Sequence, residues 1–115
     1  MKNIGIAGLG TVGQGFFNQI SKNHKNFKVI QIAVKNIKKK RKVNLRNIKV
    51  TSKVQELAIN PNIQVLVECI GGSSGVAYKL VKRALENKKH IITANKALLA
   101  IHGNELVKLA EKNNV

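Results

Sequence analysis

Tryptophan is missing from this chain and aromatic residues make up only 3% of it, so its core has to be aliphatic. The same shortage removes the stacking surfaces on which single-stranded nucleic acids are read. There is one cysteine, Cys69, which excludes an internal disulfide and suits a reducing compartment, the cytoplasm. No apolar stretch approaches the ~18 residues of a membrane span. The first apolar run is short and ends in a glycine turn, unlike a signal peptide. The three histidines, His24, His90 and His102, are widely spaced and make no metal-ligand pattern with Cys69, so no metal is expected. The G-x-S-x-G, H-E-x-x-H and Walker A patterns are also missing.

Acidic residues are scarce: 5 Asp and Glu stand against 21 Lys and Arg, a formal net charge of +16. Such a balance suits a polyanionic partner and raises the alternative of a basic nucleic-acid-binding module. Joint richness in Lys, Asn and Ile is also what AT-rich coding DNA produces. The clustering of charge is therefore more informative than its sum.

With 115 residues, 43% of them hydrophobic, the chain is long enough for one domain with a core. Its most telling stretch is Gly8-Leu9-Gly10-Thr11-Val12-Gly13, which fits G-x-G-x-x-G. The pattern gains meaning from context. Residues 1–7 form a short apolar run, as a buried parallel strand does, and residues 13–22 place Phe16, Phe17 and Ile20 on one helical face. A strand, a glycine turn and a helix together make a dinucleotide fingerprint. Gly8 permits the tight bend, Gly10 lets a pyrophosphate approach the main chain, and Gly13 lets helix and strand pack closely. The helix start then offers N–H groups and a favourable dipole to phosphate. The alternative is a strand–turn–helix whose glycines serve packing alone.

Further along, residues 27–34 are rich in β-branched residues and predict a second strand. Residues 35–49 are basic and read as a loop, with at most a short strand near 48–50. Ser52-Lys53-Val54-Gln55 has the form of a capping box, predicting a short helix through Ala58 that Asn60-Pro61 stops. A strand is expected over 63–70, a glycine turn over 71–75, a helix over 76–86 and a strand over 90–93. After it come an apolar turn over 97–101 and a last helix from Gly103-Asn104. Alternating strands and helices with short connections predict an α/β fold: a Rossmann-like, doubly wound parallel sheet forming a single coenzyme-binding domain.

Ligands in such sheets lie beyond the C-terminal strand ends. Residues 8–13, Lys35 onward, Ile70-Gly71-Gly72 and Thr93 to Lys96 all fall on that edge. NAD-binding folds usually place Asp or Glu at the end of the second strand, whereas here it reads Ala33-Val34-Lys35-Asn36. Lys35 and the basic cluster behind it, Lys38 to Lys42, with Arg41 as an alternative selector, favour NADP(H) and leave NAD(H) open; a solvated basic loop is the bland reading. Lys96 is placed to meet coenzyme phosphate or a substrate carboxylate, or is a surface lysine. Glu68, mid-strand, is expected to be structural and hydrogen-bonded to backbone or a lysine. Cys69 is expected as a small buried apolar residue.

The segments Gly8 to Gly15, Val67-Glu68-Cys69-Ile70-Gly71-Gly72 and Lys89 to Ala100, which contains Thr93-Ala94-Asn95-Lys96-Ala97-Leu98, resemble the N-terminal coenzyme domain of homoserine dehydrogenase. The resemblance spans nearly the whole chain. It implies NAD(P)-dependent interconversion of L-homoserine and L-aspartate 4-semialdehyde, in threonine, methionine and isoleucine biosynthesis. It implies that Thr11 and Val12 line the coenzyme and that Lys96 lies at the nicotinamide and substrate end. The family often has Arg-Asp where this chain has Lys35-Asn36, and Pro-Ala where it has Val76-Ala77. Its catalytic and dimerisation domain, through which homo-oligomers form, is expected after residues 1–115, together with the acid–base residues. A related small-molecule enzyme such as an aspartate dehydrogenase is the alternative.

Overall fold

A computed structural model describes residues 2–23, 25–39, 43–45, 47–71 and 75–115. The chain alternates β1 (Lys2–Ala7), α1 (Thr11–Asn23), β2 (Phe27–Ala33), β3 (Lys49–Thr51), α2 (Gln55–Ile59), β4 (Val65–Glu68), α3 (Val76–Glu86), β5 (His90–Thr93) and α4 (Lys96–Lys112). The five strands form one sheet in the order β3-β2-β1-β4-β5, and every pairing is parallel. The expected α/β doubly wound sheet is therefore present. Among the described residues no helix is long and apolar enough to cross a membrane.

Strand alternation decides which helix each residue meets. Ile4, Ile6, Val65 and Val67 face one way, into a cluster with Phe17 of α1. Ala7 and Leu66 face the other way, against Leu57 and Ala58 of α2 and Leu80 and Ala84 of α3. In β2 the alternation breaks. Ile4 pairs with Val29 but Gly5 pairs with Gln31, so one residue of β2 is skipped. This bulge lets Val29, Ile32 and Val34 share the α1 side despite their uneven spacing. It also turns Gln31 toward α2, where it is 1% exposed. Its amide nitrogen donates to Glu56 Oε1 at 3.3 Å and its oxygen accepts from Asn60 Nδ2 at 2.8 Å. A buried amide satisfied this way locks α2 onto β2.

Three local expectations are corrected. No capping box forms at Ser52: α2 starts at Gln55 with Val54 as its cap residue and no side-chain cap bond. Instead the Lys53 N–H donates to Thr51 Oγ1 at 3.0 Å, which turns the chain before the helix begins. The strand expected over 63–70 is shorter, Val65–Glu68, because the Ile63 N–H is taken by the Asn60 carbonyl at 3.1 Å. And residues 96–112 are one helix rather than a turn followed by a helix. Asn95 caps it, its Oδ1 accepting from the Leu98 N–H at 3.0 Å, while Leu98 and Leu106 are buried against Val81 and Leu85 of α3. That burial outweighs the ~1 kcal/mol that Gly103 costs inside a helix.

Helix α1 sits unusually close to the sheet. A Cβ on Gly13 would collide with the Gly8 carbonyl oxygen, whereas one on Gly15 would have nothing within 4 Å. Two substitutions in one helix should therefore have opposite signs. Gly15→Ala should raise stability by roughly 0.5–1 kcal/mol through helix propensity and a stiffer unfolded chain. Gly13→Ala should lower it by about 1–3 kcal/mol, since backbone cannot yield as a side chain can. Thermal or urea unfolding of both variants checks this; equal shifts would mean α1 stands further from β1.

Candidate functional site

Strands β1, β2 and β3 run one way across the sheet, and the chain then crosses back to lay β4 on the other side of β1. The crevice outside the strand ends at this switch point is where open α/β sheets bind ligands. Here it is a cleft of about 480 Å³, within the range of small-molecule sites. Gly8, Gly10, Lys35, Ser52, Cys69 and Ile70 are among its lining residues, and come from the ends of four strands.

The floor is built from backbone. The Gly8 N–H donates to the Ala33 carbonyl at 2.9 Å and the Cys69 N–H to the Ala7 carbonyl at 2.8 Å, which carries the pairing one residue past β1 on the β2 side and one residue past β4 on the other. Gly8 then turns with φ of 93°, and a Cβ there would stand 2.8 Å from the Cys69 carbonyl oxygen. Both facts demand glycine. Leu9 is buried beneath the turn. Gln14 closes it, its Nε2 donating to the Leu9 carbonyl and its N–H to the Gly10 carbonyl, each at 2.9 Å. That backbone bond opens the ladder of α1, so the N–H groups of Thr11, Val12 and Gly13 have no acceptor within the helix. The first turn of α1 carries no acidic residue, and a Cβ on Gly10 would meet nothing within 4 Å. An anion can thus approach the main chain at the positive end of a helix.

The walls differ in character. On the β2 side stand Lys35 and Lys39, with Ser52 from the end of β3. On the β4 side stand Cys69, Ile70 and Val76, which are mostly apolar. Among the described residues no carboxylate lines the cleft. Cys69 departs from expectation: it is half-buried rather than buried and forms part of the wall. Burial, and after it the neighbouring Glu68 carboxylate, push its thiol up from the ordinary cysteine range, so it stays protonated at neutral pH. Lys39 comes from the basic run behind Lys35, whereas Ser52, read from sequence only as a helix cap, and the supporting Gln14 were not expected at the site. Ser52 reaches the cleft because β3 pairs next to β2.

Of the residues expected to form a site, Gly8, Leu9, Gly10, Lys35 and Ile70 meet in this cleft. Thr11, Val12 and Gly13 form the helix start above it. Gly71 continues from Ile70 with φ of 84°. Arg41 and Gly72 lie outside the described residues. Thr93 and Lys96 do not line the cleft: they sit at the end of β5, beyond β4. Thr93 uses its hydroxyl within the fold, and Lys96 is exposed as the first residue of α4.

A second hollow, of about 440 Å³, lies at the opposite strand ends, between Lys2, Gln64, Lys89 and His90. Its buried feature is accounted for. The Lys89 ammonium donates to the Asn60 and Ile63 carbonyls at 2.6 and 2.8 Å, and burial pushes its pKa down. Those bonds tie the chain entering β4 to the chain entering β5, a structural task.

Residues 8–115 match the family model described as homoserine dehydrogenase, NAD binding domain. The chain is 41% identical to the homoserine dehydrogenase of Pseudomonas aeruginosa over 120 residues, covering 97% of this chain and 27% of that protein. It is 37% identical to that of Bacillus subtilis, covering 96% and 27% respectively. A crystal structure of S. aureus homoserine dehydrogenase superposes with a TM-score of 0.91 at 37% identity, covering 99% of this chain and 31% of the other. The chain thus spans about a quarter of the length of the curated relatives it matches.

Cys69 provides a reporter for the cleft. A bound dinucleotide should slow its alkylation, because at a hundredfold excess over Kd only about 1% of the protein is open. Gly10→Val, which puts a branched side chain where the phosphates approach, should weaken binding at least about tenfold and remove much of that protection. Alkylation followed by mass spectrometry, with and without NADPH, measures both. Protection that survives in Gly10→Val would mean the glycine turn does not carry the phosphates.

Proposed function

The chain belongs to the homoserine dehydrogenase NAD-binding domain family, and we propose that it holds the nicotinamide coenzyme for the NADP-dependent interconversion of L-homoserine and L-aspartate 4-semialdehyde. The observation that carries this reading is the cleft itself. A glycine turn with open space at Gly10, a helix start without acid, and two lysines converge at the switch point of the sheet. These features fit a dinucleotide: anion-binding backbone in the middle and walls that differ at its two ends.

The central phosphates belong over Gly8 to Gly13. The adenosine ribose belongs beside the end of β2, since that position selects between the two coenzymes in such folds. Lys35 and Lys39 there offer charge to a 2′-phosphate, and no carboxylate is present to accept the 2′-hydroxyl of NAD(H). NADP(H) is therefore the preferred coenzyme. The nicotinamide end falls beside Ile70 and Val76, against an apolar wall, with Lys96 one strand further along for the substrate. When bound, the coenzyme supplies the hydride. What the chain's own residues do is bind, orient and exclude water.

The second half of the chemistry lies outside residues 1–115 in this reading. Hydride transfer needs a carbonyl held about 3–3.5 Å from the nicotinamide and a group to move a proton. Among the described residues the titratable side chains in the cleft wall are two lysines and a thiol held protonated, which meet the phosphates and the wall rather than a substrate. Relatives roughly four times as long have room for a substrate-binding part, through which homo-oligomers would also form.

Two measurements test these statements. Replacing Lys35 by Asp should lower the ratio of NADPH to NADH affinity by about tenfold or more, because an attraction becomes a repulsion. An unmoved ratio in calorimetry would assign selection to other residues. Purified 1–115 mixed with NADPH and aspartate semialdehyde should bind coenzyme without turnover. Sustained loss of NADPH absorbance, abolished in Lys96→Ala, would instead place the whole machinery within these residues.

A further inference from the structure

Glu68 is the last residue of β4 and is 2% exposed, yet no cation pairs with it among the described residues. Three neutral donors hold it instead. Its Oε2 accepts from the backbone N–H groups of Ile70 at 2.8 Å and Gly71 at 3.0 Å. Its Oε1 accepts from Thr93 Oγ1 at 2.6 Å, directly across the β4–β5 pairing. Thr93 Oγ1 in turn accepts from the Asn95 N–H at 3.0 Å. Asn95 caps α4, whose first residue is Lys96. One buried carboxylate is thus the hub of a continuous chain of bonds from the Gly71 turn to the helix start that carries Lys96.

A fold does not need this arrangement for its core. A well-packed apolar pair could join β4 to β5 at lower desolvation cost. What an apolar pair cannot do is hold two successive N–H groups, and with them a turn in which Gly71 has φ of 84°. Multiple short bonds to one carboxyl group fix direction as well as distance. The segments so fixed are the apolar wall at the nicotinamide end and the helix start beyond it.

We propose that Glu68 is a positioning residue for the nicotinamide half of the coenzyme, acting through the Ile70–Gly71 turn and, by way of Thr93 and Asn95, through the start of α4. This rests on the coenzyme reading above and deepens it. The adenosine half of the cleft, between β2 and β3, is untouched by this chain of bonds.

The test separates the two halves of the ligand in the full chain. Glu68→Gln keeps shape and one acceptor for Thr93, but its amide N–H groups confront those of Ile70 and Gly71. NADPH affinity should fall at least about tenfold, while affinity for 2′-phospho-ADP-ribose, which lacks the nicotinamide, should change less than about twofold. Thr93→Val, which keeps the Glu68 bonds to the turn but cuts the link to Asn95, should show the same selective loss in smaller measure. Thr93→Ser should restore NADPH affinity. Equal weakening of both ligands, or of neither, in Glu68→Gln would overturn the proposal; if that variant does not fold, an unchanged ligand ratio in Thr93→Val does so. Wild-type chain that binds neither ligand would instead refute the coenzyme reading on which the proposal stands.

Discussion

Backbone proximity at one crossing sets the geometry of the cleft. Gly8 lies against the Cys69 carbonyl, and Gly13 lies against the Gly8 carbonyl. β1, β4 and the first turn of α1 therefore meet with no side chain between them. This closeness brings the helix start over the strand ends, beside the cleft. It also spends glycine flexibility at a cost in unfolded-chain entropy. The cost is met by the aliphatic clusters on both faces of the sheet, where Ile4, Ile6, Leu66 and Leu80 are almost completely buried.

Charge follows from the same plan. All 5 acidic residues are glutamates, and none lines the cleft. Glu56 is engaged by Gln31, Glu105 by Tyr78 and Lys82, and Glu68 by the Gly71 turn. Among the described residues the charged groups lining the cleft are thus lysines. A net charge of +16 would draw any anion weakly and in a salt-sensitive way. The cleft differs from the general surface in pairing that charge with fixed backbone donors and an apolar wall, a combination that discriminates a nucleotide from bulk anions.

Much of this was legible in the sequence because strands, glycine turns and amphipathic helices each carry their own period. The helix Val76–Glu86 and the strand His90–Thr93 were read to the residue. Failures came where a tertiary contact overrode a local signal. Gly103 reads as a helix start, but Leu98 and Leu106 gain more from burial than the glycine loses, so α4 runs through it. Ser52 reads as a cap, but the Thr51 turn carries the chain on to Val54 before the helix begins, which leaves Ser52 too far upstream to cap it. Cys69 reads as core because strand residues usually are; it lies one residue past β4, where the cleft opens. The bulge in β2 could not be read at all, since it arises from pairing with β1 and leaves no mark in the pattern of residue types.

The cleft and the residues expected at the substrate end are separate features of the fold, and the distance between them has a physical meaning. Lys35 follows β2 and Lys96 follows β5, three strand spacings apart, about 14 Å across the sheet. The lined cleft covers the first two of these spacings and stops at Ile70 and Val76. A lysine as the first residue of a helix opposes the helix dipole, a small penalty with no structural return at this exposed position. The same placement concentrates positive potential from side chain and helix at one point, which favours an anionic group there. The Asn95 cap holds that point in place, and Asn95 is itself fixed to Thr93 and so to Glu68. An anionic group beside Lys96 would thus be held, through β4, at a fixed spacing from whatever occupies the cleft.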